Sequence, residues 1–150
     1  MALTPIQATD STLIPLPPEA VWPLIADIGR YPQWWPRSLH ARADQISSDL
    51  IGTELHLRPP GSKPFTCKVV AFEEPHSITL EYVGSFITGE ARWLLEPQGQ
   101  GTRVSYVVDV AVQGTVVALV ARVIDLKRLH SSSMTRVLKA LHRQLFPTAS

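Results

Sequence analysis

The chain has one cysteine, two methionines and no asparagine. A lone thiol, Cys67, excludes an internal disulfide and suits a reducing compartment. Without asparagine there is no sequon for N-glycosylation. An excess of one charge is missing too: 14 basic and 13 acidic residues leave a formal +1, which gives no electrostatic footprint for nucleic acid. The basic residues near the C-terminus (Lys127, Arg128, Arg136, Lys139, Arg143) recur at helical spacing and read as a solvated face. Long apolar runs are absent. The longest, Val116 to Ala121, stops at Arg122, far short of the ~20 residues that span a bilayer. The opening MALTPIQATD lacks the basic start and apolar core of a secretory signal. A cytoplasmic protein without stable membrane insertion is therefore expected.

Reactive motifs are equally sparse. The five histidines (His40, His56, His76, His130, His142) are scattered, with no HExxH and no i,i+4 pair, and one cysteine makes no zinc pattern. There is no GxSxG elbow and no GxGxxG, and Gly61-Ser-Lys63 lacks the rest of a phosphate loop. No metal and no cofactor is expected. At 150 residues the chain should form one domain, able to bury roughly 70% of its unfolded surface.

What is present is concentrated in Glu19 to Pro36, EAVWPLIADIGRYPQWWP, which holds Trp22, Trp34 and Trp35 of the four tryptophans. Val21, Leu24, Ile25 and Ile28 recur at helical spacing. Pro17 and Pro18 mark the start of a helix and Gly29 its end. Pro23 removes a backbone donor inside it and should kink or loosen it, by up to ~3 kcal/mol. Tyr31, Trp34 and Trp35 then follow among Pro32 and Pro36, too broken for a long element. Adjacent tryptophans in a short connector imply a large apolar partner. They plug one end of the core or wall a cavity for a hydrophobic guest.

Strands surround this segment. Ile6–Leu16 precedes it; Ser38–Ile46, Thr53–Arg58, Phe65–Glu73, Ser77–Val83, Gly89–Glu96 and Thr102–Val112 follow it. Turns fall at Asp49–Gly52, Pro59–Lys63, Glu74–His76 and Gln98–Gly101. Ile78, Leu80 and Tyr82 alternate with polar neighbours, as do Val104, Tyr106, Val108 and Val110. That period of 2 predicts an antiparallel sheet with one buried and one wet face. From Thr115 to Phe146 the period becomes 3.6, with a stripe of Leu119, Val123, Leu126, His130, Met134, Val137, Leu138, Leu141 and Leu145. Ser131-Ser-Ser133 is weak helix and a candidate bend. Val116–Ile124 is apolar on nearly every side, more than an inward stripe needs. Its surplus would pack on the Tyr31–Trp35 connector as a gate, on a second copy in a homodimer, or on a membrane surface during ligand exchange.

The order strand, two short helices, six strands, long helix resembles the START-like, or Bet v 1-like (SRPBCC), helix-grip superfamily. Within it the chain is most similar to the bacterial polyketide cyclase/dehydrase and lipid-transport family. The resemblance runs from Ser11 to about Leu145. It is carried by PPEAVWPLIADIGRYPQWWP (Pro17–Pro36), Gly52-Thr53, Glu73-Glu-Pro-His-Ser-Ile78 and Gly101-Thr102-Arg103-Val104. It implies an α+β fold, a seven-stranded curved antiparallel sheet wrapped around a long C-terminal helix, with a hydrophobic cavity between them.

The concave face would then carry Phe65, Cys67, Val69, Leu80, Tyr82, Trp93, Leu95, Tyr106 and Val108. The final helix would add Val120, Val123, His130 and Met134, with Trp34 and Trp35 at the end. A hydrophobic small molecule such as a lipid, quinone or polyketide is the implied partner. Catalytic candidates are limited to the polar groups on these faces. Tyr82 and Tyr106 could bind or protonate a ligand carbonyl, and His130 has an ordinary pKa suited to acid–base work. Related polyketide cyclases are thought to steer aldol condensation and dehydration with polar cavity residues, and none of theirs is carried over to a position here. Two readings stay open, a binding or transport module and a cyclase/dehydrase-type enzyme.

Overall fold

A computed structural model describes residues 3–60, 62–84, 86–114 and 125–147. Seven strands, β1 (Leu3–Ile14), β2 (Arg42–Asp44), β3 (Glu54–Leu57), β4 (Phe65–Glu73), β5 (Ser77–Val83), β6 (Ile87–Gln98) and β7 (Gly101–Gln113), form one antiparallel sheet in the order β1-β7-β6-β5-β4-β3-β2. Helices α1 (Pro18–Ala26) and α2 (Tyr31–Trp34) lie between β1 and β2, and α3 (Leu126–Leu145) closes the fold. This is the Bet v 1-like helix-grip architecture.

The sheet follows its alternation. Every second residue of β5, β6 and β7 is buried, from Ile78, Leu80 and Tyr82 through Trp93 and Leu95 to Val104, Tyr106, Val108 and Val110. The opposite face carries residues such as Glu81, Glu90, Arg92 and Asp109 in solvent. Curvature has identifiable causes. The β4–β5 register shifts between Val69 and Ala71, a bulge that bends the strand. Gly89 holds φ 130°, and a Cβ there would lie 2.3 Å from the Asp109 carbonyl oxygen. No other residue fits that backbone, so the sheet turns its corner at Gly89.

Boundaries differ from the sequence expectation in instructive ways. The second strand shrinks from Ser38–Ile46 to Arg42–Asp44, because Arg37–Leu39 makes a 3-10 turn and His40 sits at φ 51°. The first strand starts earlier, since Leu3 to Ile14 pairs along the whole of β7. Tyr31–Trp34 forms a single α-turn, entered through a 3-10 turn at Ile28–Arg30, so Gly29 lies past the end of α1. Pro23 is accommodated within α1 on its exposed side.

Helix α3 starts at Asp125, whose carboxylate accepts from the Arg128 backbone N–H at 3.2 Å. It buries Met134, Val137, Leu138, Ala140 and Leu141 and packs mainly along β1, touching α2. The serine run does not bend it. Ser131 Oγ instead donates to Asp10 Oδ2 at 3.1 Å, which ties the helix to the sheet edge. His142 Nε2 lies 3.2 Å from the Leu13 carbonyl oxygen and makes a second tie. The expected start of this helix at Thr115, and with it the apolar segment Val116–Ile124, lies outside the described residues.

Candidate functional site

The concave face is built from cross-strand rows. One runs Asp10, Tyr106, Trp93, Ile78; the next Ala8, Val108, Ala91, Leu80, Val69; the third Ile6, Val110, Gly89, Tyr82, Cys67, Leu55. Tyr106 and Tyr82 are thus separated by a row whose member between them is small, Ala91. Over it their hydroxyls meet at 2.9 Å. Phe65 stacks on Tyr82 with centroids 5.3 Å apart, and Trp93 meets Tyr106 edge-on at 5.0 Å. From the helix side the His130 ring lies 6.0 Å from that of Tyr106.

The structure brings together most residues expected from sequence. Cys67, Leu80, Tyr82, Trp93, Tyr106, Val108 and Met134 are buried, Phe65 packs against them, and His130 is half-buried beside Tyr106. Trp34 and Trp35 sit on a separate wall. Tyr31 stacks on Trp35 at 4.7 Å and meets Trp34 edge-on, and its hydroxyl donates to the Ile25 carbonyl oxygen. Val120 and Val123 lie outside the described residues.

Two participants escaped the sequence reading, and a third, Tyr31, was read only as part of the connector. Asp10 occupies the inward phase of β1, shared with Ala8 and Ile14, and that alternation was the available signal. Tyr31 is fully buried as the hub of the tryptophan cluster. Ser131, read only as a weak helix former, binds Asp10.

Burial dominates the electrostatics. It pushes the Cys67 thiol up to about 12 and raises the phenols of Tyr31, Tyr82 and Tyr106 above their usual range. It holds the His130 imidazole below its usual 6.5, against a smaller opposing pull from the Asp10 carboxylate. All of these groups are therefore neutral at pH 7. Cys67 is no nucleophile in this state. The phenols can donate hydrogen bonds, and His130 is the one among these groups that gives up its proton more readily than usual.

Several polar atoms are screened from solvent without a partner among the described residues: Nε1 of Trp34, Nε1 of Trp35, Oγ of Ser38, Nε2 of His56 and Nε2 of His130. An orphaned buried polar group costs about 1–3 kcal/mol, so such a set calls for a guest or ordered water. Two open clefts lie elsewhere. One of about 420 Å³ runs between β1 and α3 past Thr12, Lys139 and Arg143; another of about 390 Å³ separates α1 from the loop at Ile46–Leu50. Among the described residues no cluster of histidine, cysteine and carboxylate could hold a metal ion, and no helix is long and apolar enough to cross a membrane.

Similar folds are widespread. Truncated norcoclaurine synthase from Thalictrum flavum superposes with a TM-score of 0.73 at 12% identity, over 99% of this chain and 98% of that one. The Mll3558 protein of Rhizobium loti gives 0.71 at 16% identity, covering 96% and 99%. A START superfamily protein from Mycobacterium smegmatis gives 0.66 at 18%, covering 93% and 96%. At such identities these likenesses speak for the fold. No curated protein sequence matches the chain significantly. The family profile described as polyketide cyclase / dehydrase and lipid transport matches residues 5–145, nearly the whole length, and the chain belongs to that family.

Proposed function

We propose that this protein binds or carries a hydrophobic small molecule, of lipid, quinone or polyketide type, between the concave face of the sheet and α3. One observation carries the reading: polar groups with no partner among the described residues sit among aromatic and aliphatic walls. Ligand sites are usually built this way, apolar for affinity with a few polar atoms for orientation. Trp34, Trp35, Phe65, Tyr82, Trp93, Tyr106, His130 and Met134 are the proposed wall, with Cys67, Leu80 and Val108 as its floor; Val120 and Val123, expected there from sequence, lie outside the described residues. On this reading the protein acts as one domain in the cytoplasm, without nucleic acid or stable membrane insertion, and can pair as a homodimer. Native mass spectrometry of protein purified from its own host tests this: a co-purified lipophile supports it, and a homogeneous apo-protein that takes up no lipophile refutes it.

A second reading is favoured by His130. Its ring lies 6.0 Å from that of Tyr106 and its Nε2 has no partner among the described residues, which suits a proton shuttle to a bound carbonyl compound. The norcoclaurine synthase structure in complex with dopamine and hydroxybenzaldehyde has the same fold, at 12% identity. If the protein is a cyclase/dehydrase, His130→Gln abolishes turnover and leaves ligand binding nearly intact.

A further inference from the structure

Charge is segregated along this chain. From Leu126 to Ser150 there are five basic residues and no aspartate or glutamate, which leaves 9 basic against 13 acidic residues in the first 125. The formal +1 of the whole thus conceals a strongly basic final helix beside an acidic remainder.

The fold gathers most of these cations on one side. At 3.6 residues per turn, Arg128, Arg136, Lys139 and Arg143 fall within an arc of about 80° on α3, opposite the buried Met134, Val137, Leu138 and Leu141. All four are exposed, and at 1.5 Å per residue their row is about 22 Å long. None forms an ion pair among the described residues. Two carboxylates lie close by without joining the row. Asp125 caps the start of the helix. Asp10 lines the same cleft as Lys139 and Arg143, but it belongs to β1 and is bonded to Ser131.

Apolar side chains are set among the cations. Leu129, 56% exposed, borders the arc, and Phe146, 39% exposed, follows at the end of the helix. A soluble acidic partner would satisfy the charges and make little use of these two. An anionic bilayer suits both, because it presents phosphates in a plane with an apolar layer just beneath. The apolar face of α3 is already spent on the sheet, and no helix among the described residues could cross a membrane, so the contact is peripheral.

We propose that the outer face of α3 docks this protein reversibly on an anionic lipid surface, with Arg128, Arg136, Lys139 and Arg143 over the headgroup phosphates and Leu129 and Phe146 entering the interface. A carrier of lipophiles has to meet the membrane that stores them, so the docking face complements the proposed binding function. It is tested without any guest, and either can fail alone.

The test is co-sedimentation of the full-length protein with vesicles of pure phosphatidylcholine, or of phosphatidylcholine with about 30 mol% phosphatidylglycerol, at about 0.05 M and about 0.5 M salt. The protein should partition onto the anionic vesicles at low salt at least tenfold more than onto the neutral ones, and high salt should release it. The double variant Arg136→Glu/Lys139→Glu, checked for native circular dichroism, should lose at least tenfold, whereas Arg92→Glu, a charge reversal on the other side of the sheet, should not. Leu129→Ser/Phe146→Ser should weaken partitioning several-fold. Equal partitioning onto both vesicles, or onto neither, overturns the proposal. Anionic binding that survives the double reversal overturns the assignment to α3. Binding that ignores Leu129→Ser/Phe146→Ser makes the row a site for soluble polyanions and overturns the lipid surface as its partner. If the double reversal loses the fold, Lys139→Gln and Arg143→Gln, each expected to lose several-fold, decide in its place.

Discussion

Removing one hydroxyl of the Tyr82–Tyr106 pair should cost more than removing both. The two oxygens are 2.9 Å apart, and both side chains are almost entirely buried. In Tyr82→Phe the Tyr106 hydroxyl loses its one hydrogen-bond partner among the described residues and stays buried. In Tyr106→Phe the Tyr82 hydroxyl keeps only the neighbouring Cys67 sulfur, a weak acceptor. Each single variant therefore loses a net bond and strands a buried polar atom, together about 1–3 kcal/mol. The double variant removes both polar atoms and leaves stacked, edge-packed phenyl rings, so it should be nearer neutral than either single change. For a chain of this size ~1 kcal/mol shifts the melting temperature by about 2–4 °C. Chemical denaturation of the four proteins yields a coupling free energy of about 1 kcal/mol or more, with the double variant less destabilised than the sum of the singles. Additive losses would refute the reasoning, because they would mean each hydroxyl is satisfied independently by solvent or by another group.

Other outcomes follow from single positions. Cys67 should resist thiol reagents at pH 8 in the native protein and react only after denaturant is added, since a thiol pushed up to about 12 leaves on the order of one thiolate in ten thousand. Gly89→Ala should destabilise by more than about 2 kcal/mol in denaturant titrations, because its Cβ would collide with the Asp109 carbonyl and φ 130° is closed to alanine. His130 has a lowered native pKa, so the unfolded chain binds the extra proton first and stability should fall as pH drops below 6.5, until the native pKa is passed. His130→Gln should flatten that part of a melting-temperature profile between pH 7 and 5. Trp93→Ala, at the fully buried centre of the sheet, should cost roughly 3–5 kcal/mol by denaturant titration if its site is tightly packed.

The fold was legible because it rests on two clean periodicities. Strands such as Ser77–Val83 alternate so regularly that their inward residues were named correctly, and the stripe from Leu126 to Leu145 is helical without a break. Legibility ended where tertiary contacts overrule local preference. Ser131 is a poor helix residue by propensity, yet Asp10, more than a hundred residues away, gives its hydroxyl a partner and keeps α3 continuous. The short β2 depends on a backbone turn at His40 that its side chain does not announce. In the candidate site, the apolar walls were readable from phase alone. The polar geometry was not, because Tyr82 and Tyr106 meet only through the register of three strands and the smallness of Ala91. Asp10 was hidden for the opposite reason: a carboxylate in an edge strand looks solvent-facing until α3 covers it.

The character of that polar geometry bears on what the protein does with a guest. A catalytic interior needs groups whose protonation changes as bonds change, held with pKa values near the working pH. Here burial drives the phenols and the thiol away from neutrality, towards permanent protonation, so they can only hold an acceptor in place. His130 is the exception, and it stands at the helix face, with Asp10 on the far side of the Ser131 tie. If chemistry takes place, His130 has to be its proton carrier, with Tyr106 as the donor next to it. A substrate would then need a carbonyl within reach of both Tyr106 and His130, whose rings lie 6.0 Å apart, whereas a passenger needs only a hydrophobic body that the concave face can cover.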